Sequence, residues 1–115
     1  MTDRELLELA AKAAGIVVTR SRLEDPLSLD MLVEESARNP YQKAGPWNPL
    51  ADDGDALRLF AALRLDIDYR PGYVGIHTGR GQYIATCPHD EHDEHGSAAT
   101  RRAIVRAAAE IGRTA

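Results

Sequence analysis

Residues 65–87 leave few folds open to the chain. Leu65, Ile67 and Tyr69 alternate with Asp66 and Asp68, the period of two that marks a strand with one wet face. Pro71-Gly72 reverses the chain at once, and Tyr73-Val74-Gly75-Ile76-His77 returns as a second strand. Gly79-Arg80-Gly81 turns it again into Gln82-Tyr83-Ile84-Ala85-Thr86-Cys87. Connections this short cannot carry the crossover that parallel strands need, so strands at 65–70, 73–77 and 82–87 form an antiparallel meander. The last of them is apolar on both faces, which places it at the centre of the sheet.

Helical periodicity flanks this meander on both sides. Thr2-Asp3-Arg4-Glu5 has the spacing of a capping box, in which hydroxyl and carboxylate satisfy each other's backbone amides. Leu6, Leu9, Ala10 and Ala13 follow as an apolar stripe, and Gly15 is suited to a left-handed stop. This predicts a helix over 3–14. Ile16-Val17-Val18-Thr19 is β-branched and predicts a further, N-terminal strand over 16–22. Residues 23–46 read two ways: Asp25-Pro26 can cap a short helix around 28–37, whereas Leu27-Ser28-Leu29 alternates like a strand. The helix is the favoured reading, with 38–46 as an exposed loop.

Trp47-Asn48-Pro49-Leu50 leads into Asp52, Asp53 and Asp55, which crowd the start of a helix predicted over 52–64. Carboxylates there complement the positive end of the helix dipole, and one serves as N-cap. Ala56, Leu59, Phe60 and Leu63 form its stripe, widened by Leu57. The stretch is therefore structural, with Trp47 expected to be buried. A final helix over 97–112 carries Ile104, Val105, Ala108 and Ile111 on one face, and Arg102, Arg106 and Arg113 on the opposite one. Together these elements predict one α+β domain over residues 1–115. Its antiparallel sheet is the three-stranded meander plus the N-terminal strand, with helices packed on it in an α/β/α sandwich-like arrangement.

The close matches to a known family lie in three collinear segments. They are Thr2 through Gly15, Trp47-Asn48-Pro49-Leu50 with Asp52-Asp53-Gly54-Asp55-Ala56-Leu57-Arg58-Leu59, and Ala99 through Gly112. The set resembles the phage ABA sandwich domain, a family of small phage and prophage proteins. The resemblance implies helices on both sides of a sheet and a temperate-phage origin. It brings no activity, ligand or catalytic residue with it. Residues 23–46 look longer and more helical here than in that family, and the loop before the last helix is richer in histidine. Full cover of the sheet conflicts with the wet face of residues 65–70 unless that strand lies at an edge.

Composition narrows the function classes. The net charge of −4 is uneven, with four arginines against one glutamate in residues 97–115 and an acidic remainder. An acidic body does not resemble the broad basic surface of a nucleic-acid binder. No apolar run approaches the ~20 residues of a membrane span. The lone cysteine and the absence of a signal-like start fit a reducing cytoplasm, which the resemblance implies is that of a bacterial host.

Several groupings carry chemistry in principle. Cys87-Pro88-His89-Asp90-Glu91-His92-Asp93-Glu94-His95 offers imidazoles at a spacing of three, so His89, His92 and His95 are the candidate metal ligands. Arg102, Arg106 and Arg113 are the candidate contacts to a partner or to nucleic-acid phosphates. Gly79-Arg80-Gly81 lacks the Lys-Ser/Thr ending of a phosphate loop and reads as a turn. Cys87 with His77 or His89 is the one conceivable nucleophile and base, and nothing marks it as such. The sequence therefore points to a non-enzymatic accessory protein without a cofactor. It would act by binding a phage or host protein, as a monomer or small homo-oligomer. The alternatives are metal binding through the 88–96 loop and nucleic-acid contact through the last helix.

Overall fold

A computed structural model describes residues 2–20, 32–34, 46–79, 82–89 and 96–114. In chain order its elements are α1 (Asp3–Ala14), β1 (Val18–Arg20), β2 (Leu32–Glu34), β3 (Pro46–Trp47), α2 (Asp53–Ala62), β4 (Asp66–Arg70), β5 (Tyr73–His77), β6 (Ala85–Pro88) and α3 (Ser97–Thr114). The fold is α+β, with helices packed on an antiparallel meander.

The meander has the order β4-β5-β6. Ile67 stands opposite Ile76 and Tyr69 opposite Val74, while Val74 also faces Cys87. The third strand is thus an edge and β5 the centre, the reverse of the sequence reading. The turn at Pro71-Gly72 and a connection that returns to a third strand beginning at Ala85, not at 82, put the middle strand of three in the middle of the sheet, whatever its hydropathy. The predicted N-terminal strand does not join this sheet as a fourth member. Residues 18–20 pair instead with β2, and β2 with β3, in a separate small antiparallel sheet. The strand pairing of residues 32–34 also replaces the helix expected around 28–37 at those positions; the rest of that span lies outside the described residues.

Local signals in the sequence hold at both ends of α1. Thr2 and Glu5 form the reciprocal capping box, and Gly15 ends the helix in the left-handed region at φ 70°. The buried face is Leu7, Ala10 and Ala11, one position round from the predicted stripe. This phase turns alanines toward α3, which is itself rich in small residues. α2 closes differently. Arg64 adopts φ 52°, with its amide donating to Ala61 and that of Leu65 to Phe60. That pairing is a Schellman stop built on a non-glycine residue.

α3 is the centre of the domain. Ala99, Ala103, Ile104, Val105, Ala107, Ala108, Ala109 and Gly112 are all buried. They fill the space between β5 and β6 on one side and α1 and α2 on the others. Asp3 lies against Arg102 and Leu9 against Gly112, so α1 and α3 run in the same direction. The helix continues past Gly112 to Thr114 rather than ending near it. A Cβ on Gly112 would overlap the backbone carbonyl oxygen of Leu9. Glycine is there to let two helix backbones touch.

Two substitutions test these assignments by sign. Gly112→Ala gains about 1 kcal/mol of helix propensity in an ordinary helix. Here it is expected to lose about 1–3 kcal/mol by forcing α1 from α3, read as a lowered urea midpoint. Arg64→Gly is expected to raise stability by about 0.5–1 kcal/mol, because glycine occupies the left-handed region without a Cβ penalty. A lower melting temperature for Arg64→Gly would contradict the stop described.

Candidate functional site

The route to a surface of interest starts with the Trp47 stretch. Trp47 is 3% exposed and Pro49 is fully buried, so this segment is anchored in the core. Asp52 caps α2 by accepting from the Asp55 amide at 2.8 Å. The buried Asp55 carboxylate reaches back to accept from the Asn48 amide at 3.0 Å and receives Arg58 at 2.6 Å. Arg101 of α3 then ties the segment down, donating Nε to the Leu50 carbonyl at 2.8 Å and Nη1 to Asp53 at 2.6 Å. The three carboxylates of the motif each have a structural partner. Asp52 and Asp55 fix the start of α2 to itself and to the segment before it, and Asp53 ties it to α3.

Held in this way, α2 stands off from β4 and leaves a cleft of about 450 Å³. Ala56, Leu57 and Phe60 line it from α2, Ile67 and Tyr69 from β4, and Ile104 from α3. Leu57, which the sequence placed in the buried stripe, is 65% exposed at its lip, and Tyr69 is 61% exposed. With Val17 they are the exposed large hydrophobics among the described residues. Two of those three therefore share one cleft. The Tyr69 hydroxyl lies 3.1 Å from Thr100 Oγ1. That oxygen donates its own hydrogen to the Gly96 carbonyl at 2.7 Å, so Tyr69 is the donor between them.

The two edges of the sheet differ. Pro88 stands opposite Tyr73 and has no N–H, while the His89 amide donates to the Gly72 carbonyl at 2.9 Å. Even-numbered residues of β5 therefore bond to β6, and odd-numbered ones to β4. It follows that Asp66, Asp68 and Arg70 bond inward to β5, while Ile67 and Tyr69 turn N–H and C=O outward. On β6 the outward residues are Thr86 and Pro88. Arg106 Nη1 donates to the Thr86 carbonyl at 3.2 Å, and proline offers no donor. Edge β6 is closed by these two devices. Edge β4 has no such cover among the described residues, and it forms one wall of the apolar cleft.

On the face away from α3, Tyr83 lies over Gly75, where a Cβ would come within 2.6 Å of the ring. Its hydroxyl donates to Asp68 Oδ2 at 3.2 Å and accepts from Arg70 Nε at 3.2 Å. His77 Nδ1 accepts from the Gly79 amide at 3.0 Å, so Nε2 carries the hydrogen that faces Asp68 at 3.3 Å. These bonds pin residues 79 and 83 to the sheet and leave the end of the Arg70 guanidinium exposed. The members of this cluster come from three separate strand and turn positions, and register alone unites them.

The residues picked from sequence are dispersed. His89 is exposed beyond β6, whereas His92 and His95 lie outside the described residues. Among the described residues no group of His, Cys, Asp and Glu is arranged to hold a metal ion. Cys87 is buried on the α3 side of the sheet, and His77 lies on the other, so the two do not meet. The arginines of α3 are engaged within the domain. Arg102 grips Asp3 through both terminal nitrogens at 2.9 and 3.1 Å, Arg106 closes β6, and Arg113 pairs with Glu110. No described helix is long and apolar enough to cross a membrane. Sequence reasoning missed the cleft; its signal was Leu57, one hydrophobe too many for the α2 stripe.

Comparison of the chain with protein-family models, with curated proteins and with solved structures finds no match.

The Asp3–Arg102 pair has a measurable pH signature. The hydrogen bonds from Arg102 hold the Asp3 carboxyl below its ordinary value, against partial desolvation, with the charges of Arg102 and Arg106 adding to the effect. A depressed carboxyl stabilises the fold above its unfolded pKa, and that contribution disappears as pH falls through the folded pKa. Asp3 is largely exposed, so screening limits the effect to at most about 1 kcal/mol. Asp3→Asn is expected to be less stable than wild type at neutral pH. Denaturant titrations should show the two curves converging as pH drops through and below the carboxylate range.

Proposed function

We propose that this chain is a non-enzymatic binding module that captures an extended segment of a protein partner along β4. A strand added there would bond to the outward N–H and C=O groups of Ile67 and Tyr69. Its alternate side chains would enter the cleft against Phe60, Ile67 and Ile104. The observation that carries this reading is the contrast between edges: β6 is blocked by Arg106 and Pro88, whereas β4 is open beside Leu57 and Tyr69. Apolar side chains clustered at a concave surface with a few polar groups at its rim are what a recognition site requires. The resemblance of the Trp47 stretch and of both terminal helices to the phage ABA sandwich domain supports reading the module as a phage or prophage accessory protein. Its partner is then a phage or host protein in the bacterial cytoplasm.

The test is selection from a displayed library of random peptides, followed by amide mapping on isotope-labelled protein. Selected peptides are expected to alternate apolar and polar residues and to perturb the Ile67 and Tyr69 amides. Tyr69→Pro removes an outward N–H without costing a bond to β5, and is expected to weaken binding at least about tenfold. Tyr69→Ala, which removes only the ring, should retain more of it, and Leu57→Asp should lose most. Peptides that bind Tyr69→Pro as tightly as wild type would refute strand addition.

A further inference from the structure

Resting on that reading of the β4 edge, we propose that the strand it recognises is another β4, so that two copies of the chain pair about a two-fold axis into one six-stranded sheet. The support is the self-complementary pattern of Asp66-Ile67-Asp68-Tyr69-Arg70. An antiparallel partner centred on Asp68 sets Ile67 opposite Tyr69 of the second copy, and Tyr69 opposite its Ile67. These are the two residues whose backbone groups turn outward, so the pairing makes four interchain bonds with no donor or acceptor of either left over. The same register places Asp66 opposite Arg70 of the second copy, twice by symmetry. Both belong to the pairs without backbone bonds, where side chains approach most closely.

The side chains agree with this arrangement. Ile67 and Tyr69 lie on the cleft face, so the exposed Tyr69 ring of one copy falls beside Ile67 of the other. The two clefts then become continuous across the axis, which covers apolar surface that each copy alone leaves in water. Asp66 and Arg70 are both exposed. The remaining pair, Asp68 with its symmetry mate, sets two carboxylates together. Each already accepts from Tyr83 and faces His77 and Arg70, which spread its charge into its own sheet face. A register shifted to pair Ile67 with Ile67 would bring Asp66 against Asp68. Centring on Tyr69 would pair Ile67 with Pro71, which has no N–H to give. The proline rules out the Tyr69-centred register, and the Asp68-centred one sets one pair of carboxylates together where the Ile67-centred one sets two.

The experiment is sedimentation equilibrium of the full chain across about 5–500 μM, the range suited to a small strand interface. Wild type is expected to dimerise. Asp66→Arg alone sets like charges opposite each other at both ends, as does Arg70→Asp alone, and each is expected to weaken association about tenfold or more. An equimolar mixture of the two variants restores opposite charges at both ends and is expected to recover a heterodimer. The double variant Asp66→Arg with Arg70→Asp should recover a homodimer. Circular dichroism identifies any variant that fails to fold, and Tyr69→Pro then serves as the monomeric control. A wild type that stays monomeric at the highest concentration overturns self-pairing, as does a dimer indifferent to single charge reversals. If such a monomer still binds selected peptides at Ile67 and Tyr69, strand capture survives and only the identity of the strand is wrong. If it binds none, both readings fall.

Discussion

The backbone contact between Gly112 and Leu9 governs most of the architecture. Alanine side chains bury little area each, so a chain with 5% aromatic residues cannot hold its helices by large interdigitating side chains. It gains cohesion instead from close backbone approach, where dispersion contacts are dense. Small residues along α3 permit that approach on several sides at once, and Gly112 permits the closest of all. Proximity then lets three arginines of one helix reach three different elements: Arg101 to the segment before α2 and to Asp53, Arg102 to α1, and Arg106 to β6. The charged side of α3 is a set of ties.

One of those ties shapes the surface of the molecule. Arg101 fixes Leu50 and Asp53, Asp55 fixes Asn48, and α2 is left at an angle that its own apolar stripe does not dictate. A helix free to bury every hydrophobe would rotate Leu57 inward. The polar clamp at its N-terminus prevents this, and the Schellman stop at Arg64 delivers the chain directly into β4. Between a clamped start and an abrupt end, the helix cannot close onto the strand that follows it. The cleft lies between a helix clamped at its start and stopped abruptly at its end and the strand that follows it.

What the sequence disclosed follows the same division between local and distant causes. The capping box at Thr2, the left-handed Gly15, the Pro71-Gly72 turn of the meander and the burial of Trp47 were legible because each depends on neighbours within a few residues. The rotational phase of α1 was not, since Leu6-Leu9-Ala10-Ala13 and Leu7-Ala10-Ala11-Ala14 have the same spacing and only the small-residue face of α3 chooses between them. Strand hydropathy misplaced the third strand, because sheet order is set by connection length. The separate pairing of residues 18–20 with 32–34 depends on long-range register, which β-branched composition alone does not encode. Arg102 and Arg106 looked like a free cationic face because Asp3 and the Thr86 carbonyl lie far off in sequence. Leu57 was read as widening the buried stripe of α2, whereas it stands 65% exposed at the lip of the cleft.

An open strand edge is a liability that folded chains ordinarily cover, since unpaired N–H and C=O groups invite any passing strand. In this sheet one edge is covered twice over, by a guanidinium on the Thr86 carbonyl and by Pro88 where a donor would stand. The means of closing an edge are therefore present in the chain, which makes the edge of β4, uncovered among the described residues, informative. Nor is β4 defended by its side chains in the usual way. Asp66 and Arg70 have opposite signs, so they discourage a generic strand while suiting one whose charges are reversed in order. An antiparallel copy of β4 has that order. The charges that discourage indiscriminate pairing are thus the same ones that support the self-pairing proposed above.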